Sequence, residues 1–259
     1  MKPDFSRIVQ ERYDQIARAL LANARPGCCS TDSCCGGGNY MAEAIDVPEE
    51  LLNASLGCGN PIAIADLKEG EIVLDLGSGA GLDAFVSARL VGPHGKVYGV
   101  DASVAMVELA KQYQSKSGLS NIEFLKAKME EIPLSDCHVD VIISNCVINL
   151  AVDKVKVMRE AFRVLKPGGR IALFDTAWLQ PVPEWVRQDA ELWASCIGGA
   201  LDLEEYRKLL KDAGFVSVEV EPVQTIELPG SMQELRPVGE LASVIVKAVK
   251  PKAQGSSGL

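Results

Sequence analysis

Histidine is scarce in this chain: 259 residues hold only two, His94 and His138. That scarcity argues against Ser/His/Asp triads and against histidine-rich metal sites. Positive charge is in the minority too. The 26 Lys and Arg face 35 Asp and Glu, so the net charge is −9 and the isoelectric point is about 4.9. A nucleic-acid or anionic-membrane partner calls for a basic field, and with none present neither is expected. No apolar run reaches the roughly 18 residues that a membrane span needs. The opening stretch "MKPDFSRIVQERYDQ" has mixed charge and no apolar core. No secretion signal is read there, and a cytoplasmic location is expected.

Cysteine, by contrast, is abundant, with eight residues in a 47% apolar chain of ordinary globular composition. Reducing cytoplasm keeps thiols free, so this number points to soft-ion binding or thiol chemistry rather than to a disulfide framework.

The apolar pattern divides the chain. Residues 4–22 carry Phe5, Ile8, Val9, Tyr13, Ile16, Ala17 and Leu20 on one helical stripe. "NARPGCCSTDSCCGGGN" then breaks all periodicity and reads as a loop. Pro48 and Pro61 open short helices, with Asn60 a plausible N-cap for the second. From residue 71 strands alternate with helices. "EIVLDLGSG", "GKVYGVD", "NIEFLKA", "VDVIISN" and "RIALFDT" are strands, and helices cover about 80–90, 103–117 and 153–165, the last ending at "KPGG". Such alternation means crossover helices on both faces of a mainly parallel sheet. Beyond 178 the chain is helical with a break at the glycines, and "VSVEVEP" and "ASVIVKAVK" are late strands. Four segments follow: 1–46, a helix and Cys-rich loop; 47–177, the Rossmann-like part; 178–250, a cover with closing strands; and 251–259, a disordered tail.

"LDLGSGAGLDA" puts Gly77, Ser78, Gly79 and Gly81 between a strand and a helix, where backbone can approach a ligand closely. Asp101 ends the next strand, placed to accept ribose hydroxyls. A dinucleotide and S-adenosylmethionine both fit that outline. The dinucleotide pattern wants glycine where Leu82 stands. Asp75, just ahead of the glycines, repels pyrophosphate but suits an ammonium. "VLDLGSGAG", "VYGVD" and "RVLKPGGRIAL" together resemble the class I S-adenosylmethionine-dependent methyltransferases. The resemblance implies an α/β, Rossmann-like class I methyltransferase with a mainly parallel seven-stranded sheet and a C-terminal substrate-covering segment. It also implies that Met129 and Glu130, in "AKMEEIPL", flank the adenine. His138 lies in a polar loop and is read as a solvated surface residue.

A fold does not name a substrate. Three cysteines stand where substrate belongs: Cys58 in "SLGCGNP", Cys146 in "SNCVINL" and Cys196 in "WASCIGGA". Taken singly, each could be a small buried hydrophobe. "SLGCGNP", "SNCVINL", "RVLKPGG" and "CIGGAL", in this order over residues 42–215, closely resemble the arsenite S-adenosylmethionine methyltransferases. By that resemblance Cys58, Cys146 and Cys196 are the arsenic-binding thiols, and a cysteine of the N-terminal loop joins a redox cycle. Cys28, Cys29, Cys34 and Cys35 are its candidates, with Cys35 the provisional choice. A zinc clasp is the competing reading of those four. No structural metal is expected. Cys137 matches no motif.

The chemistry is coherent. Trivalent arsenic is soft and three-coordinate, so thiolates suit it better than carboxylates or imidazoles. Its lone pair carries no proton, so methylation needs no histidine base. The helix opening at Pro61 is expected to favour a Cys58 thiolate. Gly57, Gly59, Gly198 and Gly199 are expected to let their segments close on the ion. Asn145 and Asn149 are candidates to bind the cofactor or order the loop, and Asn145 is assigned to the cofactor. Trivalent arsenicals and a thiol reductant such as glutathione or thioredoxin are the expected partners, and a monomer is expected. A methyltransferase for a small organic carbon or oxygen nucleophile is one alternative. A thiol-based metalloid binder without turnover is another.

Overall fold

Short apolar segments bounded by glycine and proline become seven strands of one sheet. The structure is a computed structural model that describes residues 3–22, 47, 49–54, 56–226 and 238–252. The strands are β1 (Ile72–Leu76), β2 (Lys96–Asp101), β3 (Ile122–Lys126), β4 (Val139–Asn145), β5 (Leu165–Trp178), β6 (Val216–Ile226) and β7 (Leu241–Val249). Their order is β3-β2-β1-β4-β5-β7-β6. The β3-β2, β2-β1, β1-β4 and β4-β5 pairs are parallel, whereas β7 runs antiparallel to both β5 and β6. The expected mainly parallel seven-stranded sheet is therefore present.

Helices α1 (Phe5–Leu21), α2 (Glu49–Asn53), α3 (Pro61–Ala65), α4 (Leu82–Leu90), α5 (Val104–Ser117) and α6 (Lys154–Val164) include the crossovers. Helices α7 (Glu184–Gln188), α8 (Ala190–Ala194) and α9 (Leu203–Asp212) follow β5. Alternate residues of a strand point to opposite faces, so Leu74, Leu76 and Ile142 join one core with Met158 and Tyr206. Val73, Val141 and Ile143 join the other with Phe85 and Leu109. Both faces are thus buried, which explains the near-continuous apolar runs of β1 and β4. The strand order reverses at β1, between β2 and β4. Ligands of such sheets bind at the carboxyl ends of the strands beside that switch point.

Several local expectations hold at the residue level. The Asn60 side chain caps α3, accepting from the Ala63 N–H at 3.1 Å. Helix α1 buries Ile16 and Ala17 against Met106 of α5. Two readings need correction. "KPGG" does not merely terminate α6: β5 begins at Leu165 and runs through it. The cause is β7, whose end holds that segment through Gly168 N–H to Lys250 O (2.9 Å) and Lys250 N–H to Gly169 O (2.8 Å). His138 is half-buried rather than solvated, because its ring packs on Tyr98 with centroids 5.4 Å apart. Among the described residues no helix is long and apolar enough to cross a membrane.

Helix α9 starts with a full capping box, in which Asp202 and Glu205 satisfy each other's backbone N–H. Replacing Asp202→Ala is expected to lower stability by about 1 kcal/mol. Chemical denaturation reads this as a lower midpoint at unchanged slope; an unchanged midpoint would show that the box contributes nothing.

Candidate active site

The loop between β1 and α4 is clamped to its neighbour strand. Gly77 and Ser78 donate their N–H groups to Val100 O at 2.8 and 3.0 Å, and Gly79 N–H donates to Asp101 Oδ2 at 2.9 Å. Gly79 has φ +52, and a Cβ there would meet nothing within 4 Å. Its backbone therefore borders open space where a ligand can approach. Gly81, at φ +97, caps α4. Asp101 Oδ1 also accepts from Ser103 N–H at 2.8 Å. A carboxylate oxygen has two lone-pair directions, so both oxygens retain capacity for hydroxyl donors.

Asp75 is 2% exposed, and its Oδ2 has no partner among the described residues. Burial, then the neighbouring Asp83 and Asp101, push its carboxyl well above the ordinary range. Ser78 Oγ is likewise buried without a partner. Such orphaned polar atoms are rare, and here they lie beside a cavity. Gly77, Ser78, Gly79, Asp101, Met129, Glu130 and Asn145 all line that groove, and so does Cys146. Helix α1 closes it from above with Val9, Gln10 and Tyr13. Asp75 and Gly81 stand behind the lining and shape it.

Cys146 follows β4 directly, so a rigid strand end carries it. Its φ is +62, a left-handed conformation that costs a non-glycine residue of order 1 kcal/mol and concentrates at functional sites. Its N–H is held by Phe174 O at 2.7 Å, and its Sγ lies 3.3 Å from Thr176 Oγ1. Cys196, after α8, is also left-handed at φ +61, and its thiol donates to Cys146 O at 3.2 Å. Cys58 is held beside it, its N–H donating to Oδ1 of Asn145, the residue before Cys146, at 3.0 Å. The three predicted cysteines therefore converge, with Cys146 at the centre and facing the groove.

The electrostatics follow from that arrangement. Hydrogen bonds from Cys196, then Cys58, with smaller help from Thr176, hold the Cys146 thiol well below the usual range. The same Cys146 contact, followed by burial, pushes Cys58 well above it. These directions run against the Cys58 thiolate expected from the helix at Pro61 and favour Cys146 as the more acidic thiol. Helix α3 spans only five residues, and a helix-end field that short is weaker than a direct hydrogen bond. Among the described residues no group of three or more His, Cys, Asp or Glu already stands at metal-ligand spacing. Hydrogen bonds to backbone groups and to Asn145, not a ready coordination shell, hold these cysteines near one another.

Close packing explains the glycines beside Cys58 better than freedom to move. A Cβ at Gly57 would sit 2.2 Å from Asn145 Nδ2, and one at Gly59 1.9 Å from the Phe174 ring. Asn145, read as a cofactor residue, lines the groove but spends its amide on this loop. Its Oδ1 accepts from Cys58 N–H at 3.0 Å and from Gly59 N–H at 3.2 Å.

Several functional neighbours escaped the sequence reading. Asp175 is fully buried and accepts from Asn149 Nδ2 (2.9 Å), Thr176 N–H (2.8 Å) and Tyr206 OH (3.1 Å). Burial, then the Cys146 charge, raise its carboxyl well above the ordinary range. Lys154 lies 4.7 Å from the Trp193 ring centroid, and burial lowers its ammonium to about 8. Phe5 stacks on Trp193 at 4.3 Å, three residues before Cys196. The available signal was the polar pair "DT" inside the apolar strand "RIALFDTAW". Cys137 sits exposed at a turn, away from the thiol cluster. Cys28, Cys29, Cys34 and Cys35 lie outside the described residues.

A methyltransferase-domain family pattern matches residues 67–214. The chain is 37% identical over 94% of its length to the arsenite methyltransferase of Halobacterium salinarum, and 35% identical over 82% to that of Homo sapiens. It spans 66% and 58% of those relatives' own lengths. The crystal structure of CrArsM, an arsenic(III) S-adenosylmethionine methyltransferase from Chlamydomonas reinhardtii, superposes with a TM-score of 0.70. That comparison covers 93% of this chain and 74% of that one at 34% identity.

Alkylation by iodoacetamide, mapped by mass spectrometry across pH, reads the thiol order directly. Cys146 is expected to react at lower pH than the ordinary thiol value near 8.5. Its midpoint should rise in Cys196→Ala and in Cys58→Ala. Earlier reaction at Cys58 than at Cys146 would contradict the proton placement.

Proposed function

We propose that this chain, which belongs to the arsenite methyltransferase family of class I methyltransferases, transfers methyl groups from S-adenosylmethionine to trivalent arsenic bound by Cys58, Cys146 and Cys196. One observation carries the reading: Cys146 lines the groove, its backbone oxygen accepts the Cys196 thiol at 3.2 Å, and the adjoining Asn145 holds the Cys58 N–H at 3.0 Å.

The residues present fit the cofactor. Asp75, with its unpartnered oxygen, and Ser78 offer polar atoms for the amino-acid end. Gly79 offers open backbone, Asp101 spare lone pairs for ribose, and Met129 and Glu130 a wall for adenine. When bound, S-adenosylmethionine supplies an electrophilic methyl group on a sulfonium. The chain's own contribution is to hold the nucleophile. Cys146 supplies the first thiolate and displaces a hydroxide that takes a proton from solvent, and Cys58 and Cys196 each give their proton to a further arsenic-bound hydroxide, so that three As–S bonds replace three As–O bonds and three waters leave. Three sulfurs around arsenic leave its lone pair as the reacting group. No proton has to be removed from that lone pair, so two histidines, neither in the site, suffice. Positioning is the main device, and the groove roofed by α1 excludes water.

Methylation raises arsenic formally to the pentavalent state, and two electrons must return it to the trivalent one. A thiol pair can give them by forming a disulfide. In this reading a cysteine of the N-terminal loop, Cys35 among the four candidates, joins that exchange, and glutathione or thioredoxin reduces the disulfide. The enzyme acts as a monomer in the cytoplasm, where thiols stay reduced. Residues 47–177 form the cofactor half, and 178–250 the cover carrying Cys196.

Incubation with arsenite, glutathione and methyl-labelled donor, followed by product speciation, tests this. Labelled methylarsenicals are expected. Serine at Cys58, Cys146 or Cys196 should lower their formation about 100-fold or more, as misplacement of a reacting group does, while S-adenosylhomocysteine still binds. Undiminished turnover in the triple variant would transfer the assignment to an organic nucleophile. Bound arsenic without methylated product would make the protein a metalloid binder. Asp101→Ala is expected to weaken S-adenosylhomocysteine binding roughly 10-fold or more through lost charge-assisted hydrogen bonds; calorimetry showing unchanged affinity would remove Asp101 from the site.

A further inference from the structure

The Asn145 amide joins the groove to the thiols. While Oδ1 accepts the Cys58 and Gly59 N–H groups, Nδ2 donates to Gly59 O at 2.7 Å and to Asp83 Oδ2 at 3.2 Å. Asp83 belongs to the first turn of α4, is 9% exposed and lines the groove. Its charge acts on Asp75, the buried carboxylate with an unpartnered oxygen. Two buried carboxylates side by side repel each other and favour a cation between or beside them. The structure thus holds a hydrogen-bonded path from Asp83 through Asn145 to the backbone of Cys58, and Asp75 feels the Asp83 charge.

We propose that Asp83 is a positioning residue that carries cofactor occupancy of the groove through Asn145 to the Cys58 loop, so that the two sites bind their ligands cooperatively. The inference rests on the function proposed above, and it assigns to Asp83 a role that the glycine motif does not suggest. The differential interaction that any such coupling requires is identifiable. A ligand ammonium offsets the repulsion between Asp75 and Asp83, so that Asp83 stays ionised as a full acceptor for Asn145. Hydrogen bonds in a chain polarise one another, so a firmer bond at Nδ2 strengthens acceptance at Oδ1. That oxygen sets the position of Cys58 N–H. The loop has no slack to absorb the change, because Gly57 packs directly on the Asn145 amide. Linkage makes the effect reciprocal: arsenic binding at the thiols must tighten the cofactor by the same factor.

The test measures arsenite affinity by tryptophan fluorescence in three states: no nucleoside, saturating S-adenosylhomocysteine, and saturating 5′-methylthioadenosine, which lacks the amino-acid end. In the wild-type protein S-adenosylhomocysteine is expected to tighten arsenite about 5-fold or more, and methylthioadenosine is expected to leave it unchanged. In Asp83→Asn the ratio with S-adenosylhomocysteine should fall to about one. Asn145→Asp is the second variant: it keeps an acceptor for Cys58 and Gly59 but loses the donor to Asp83, and it should lose the coupling too. A merely structural role would shift both affinities and leave their ratio intact. Full coupling in either folded variant, or equal tightening by methylthioadenosine, overturns the proposal. A wild-type protein that binds both ligands and methylates arsenic without coupling overturns it alone. A wild-type protein that binds neither ligand overturns the proposed function, and this inference with it.

Discussion

The sulfur of Cys146 is the point on which the site depends. It lies 3.3 Å from Thr176 Oγ1, the residue's backbone oxygen accepts the Cys196 thiol, and it borders the groove. Each of these relations follows from its place in the chain. Strand β4 lies between β1 and β5 in the centre of a sheet buried on both faces, so its carboxyl end cannot drift. The left-handed turn at Cys146 then swings the next segment away, and the sulfur is presented at the switch point rather than continuing the strand. A thiol on a loop tip would have neither the fixed position nor the set of donors.

Around that sulfur the molecule arranges groups that would be costly elsewhere. Asp175 is a buried carboxylate one residue from Thr176, tolerated because three donors satisfy it. Tyr206 and Asn149 tie that carboxylate to α9 and to the turn after β4, and Lys154 of α6 holds the same turn through Asn149 O at 3.1 Å. The stack of Phe5, Trp193 and Lys154 joins α1 to α8, so the helix that roofs the groove also presses on the segment bearing Cys196. Arg12 Nη1 reaches Ser195 Oγ at 3.4 Å, and the Asp14 carboxylate accepts from the Ser103 hydroxyl on the cofactor side. Helix α1 is therefore packed against both halves. Its wall over the groove lowers the local dielectric there, which strengthens hydrogen bonds and penalises any that are unmade.

Much of this was legible in the sequence, and the reasons are physical. Strand–helix alternation is a strong periodic pattern, so the sheet and its crossovers were readable from residue 71 onward. Asp75 and Asp101 were readable because carboxylates at the ends of apolar strands have few structural uses. The three cysteines stood out through their order and flanking residues. Their proton distribution did not, because it depends on distances between residues 58, 146 and 196 that no local pattern encodes. The helix-end argument at Pro61 pointed to Cys58, whereas the tertiary surroundings favour Cys146 as the more acidic thiol. Thr176 and Tyr206 were invisible for the same reason: each matters only through a partner far along the chain. "KPGG" read as a stop because proline and glycine disfavour regular structure, yet pairing with residue 250 extended β5 through it. Asn145 read as a cofactor residue from its position, whereas its amide is largely committed to the Cys58 loop.

Arsenic K-edge X-ray absorption on the protein loaded with one equivalent of arsenite, free of external thiols, addresses the convergence of the thiols most directly. The account predicts a first shell of three sulfur atoms and no oxygen, with one sulfur lost on replacing any one of residues 58, 146 and 196 by serine. A shell of two sulfurs and one oxygen in the native protein, or one that survives the Cys146 replacement intact, would contradict it.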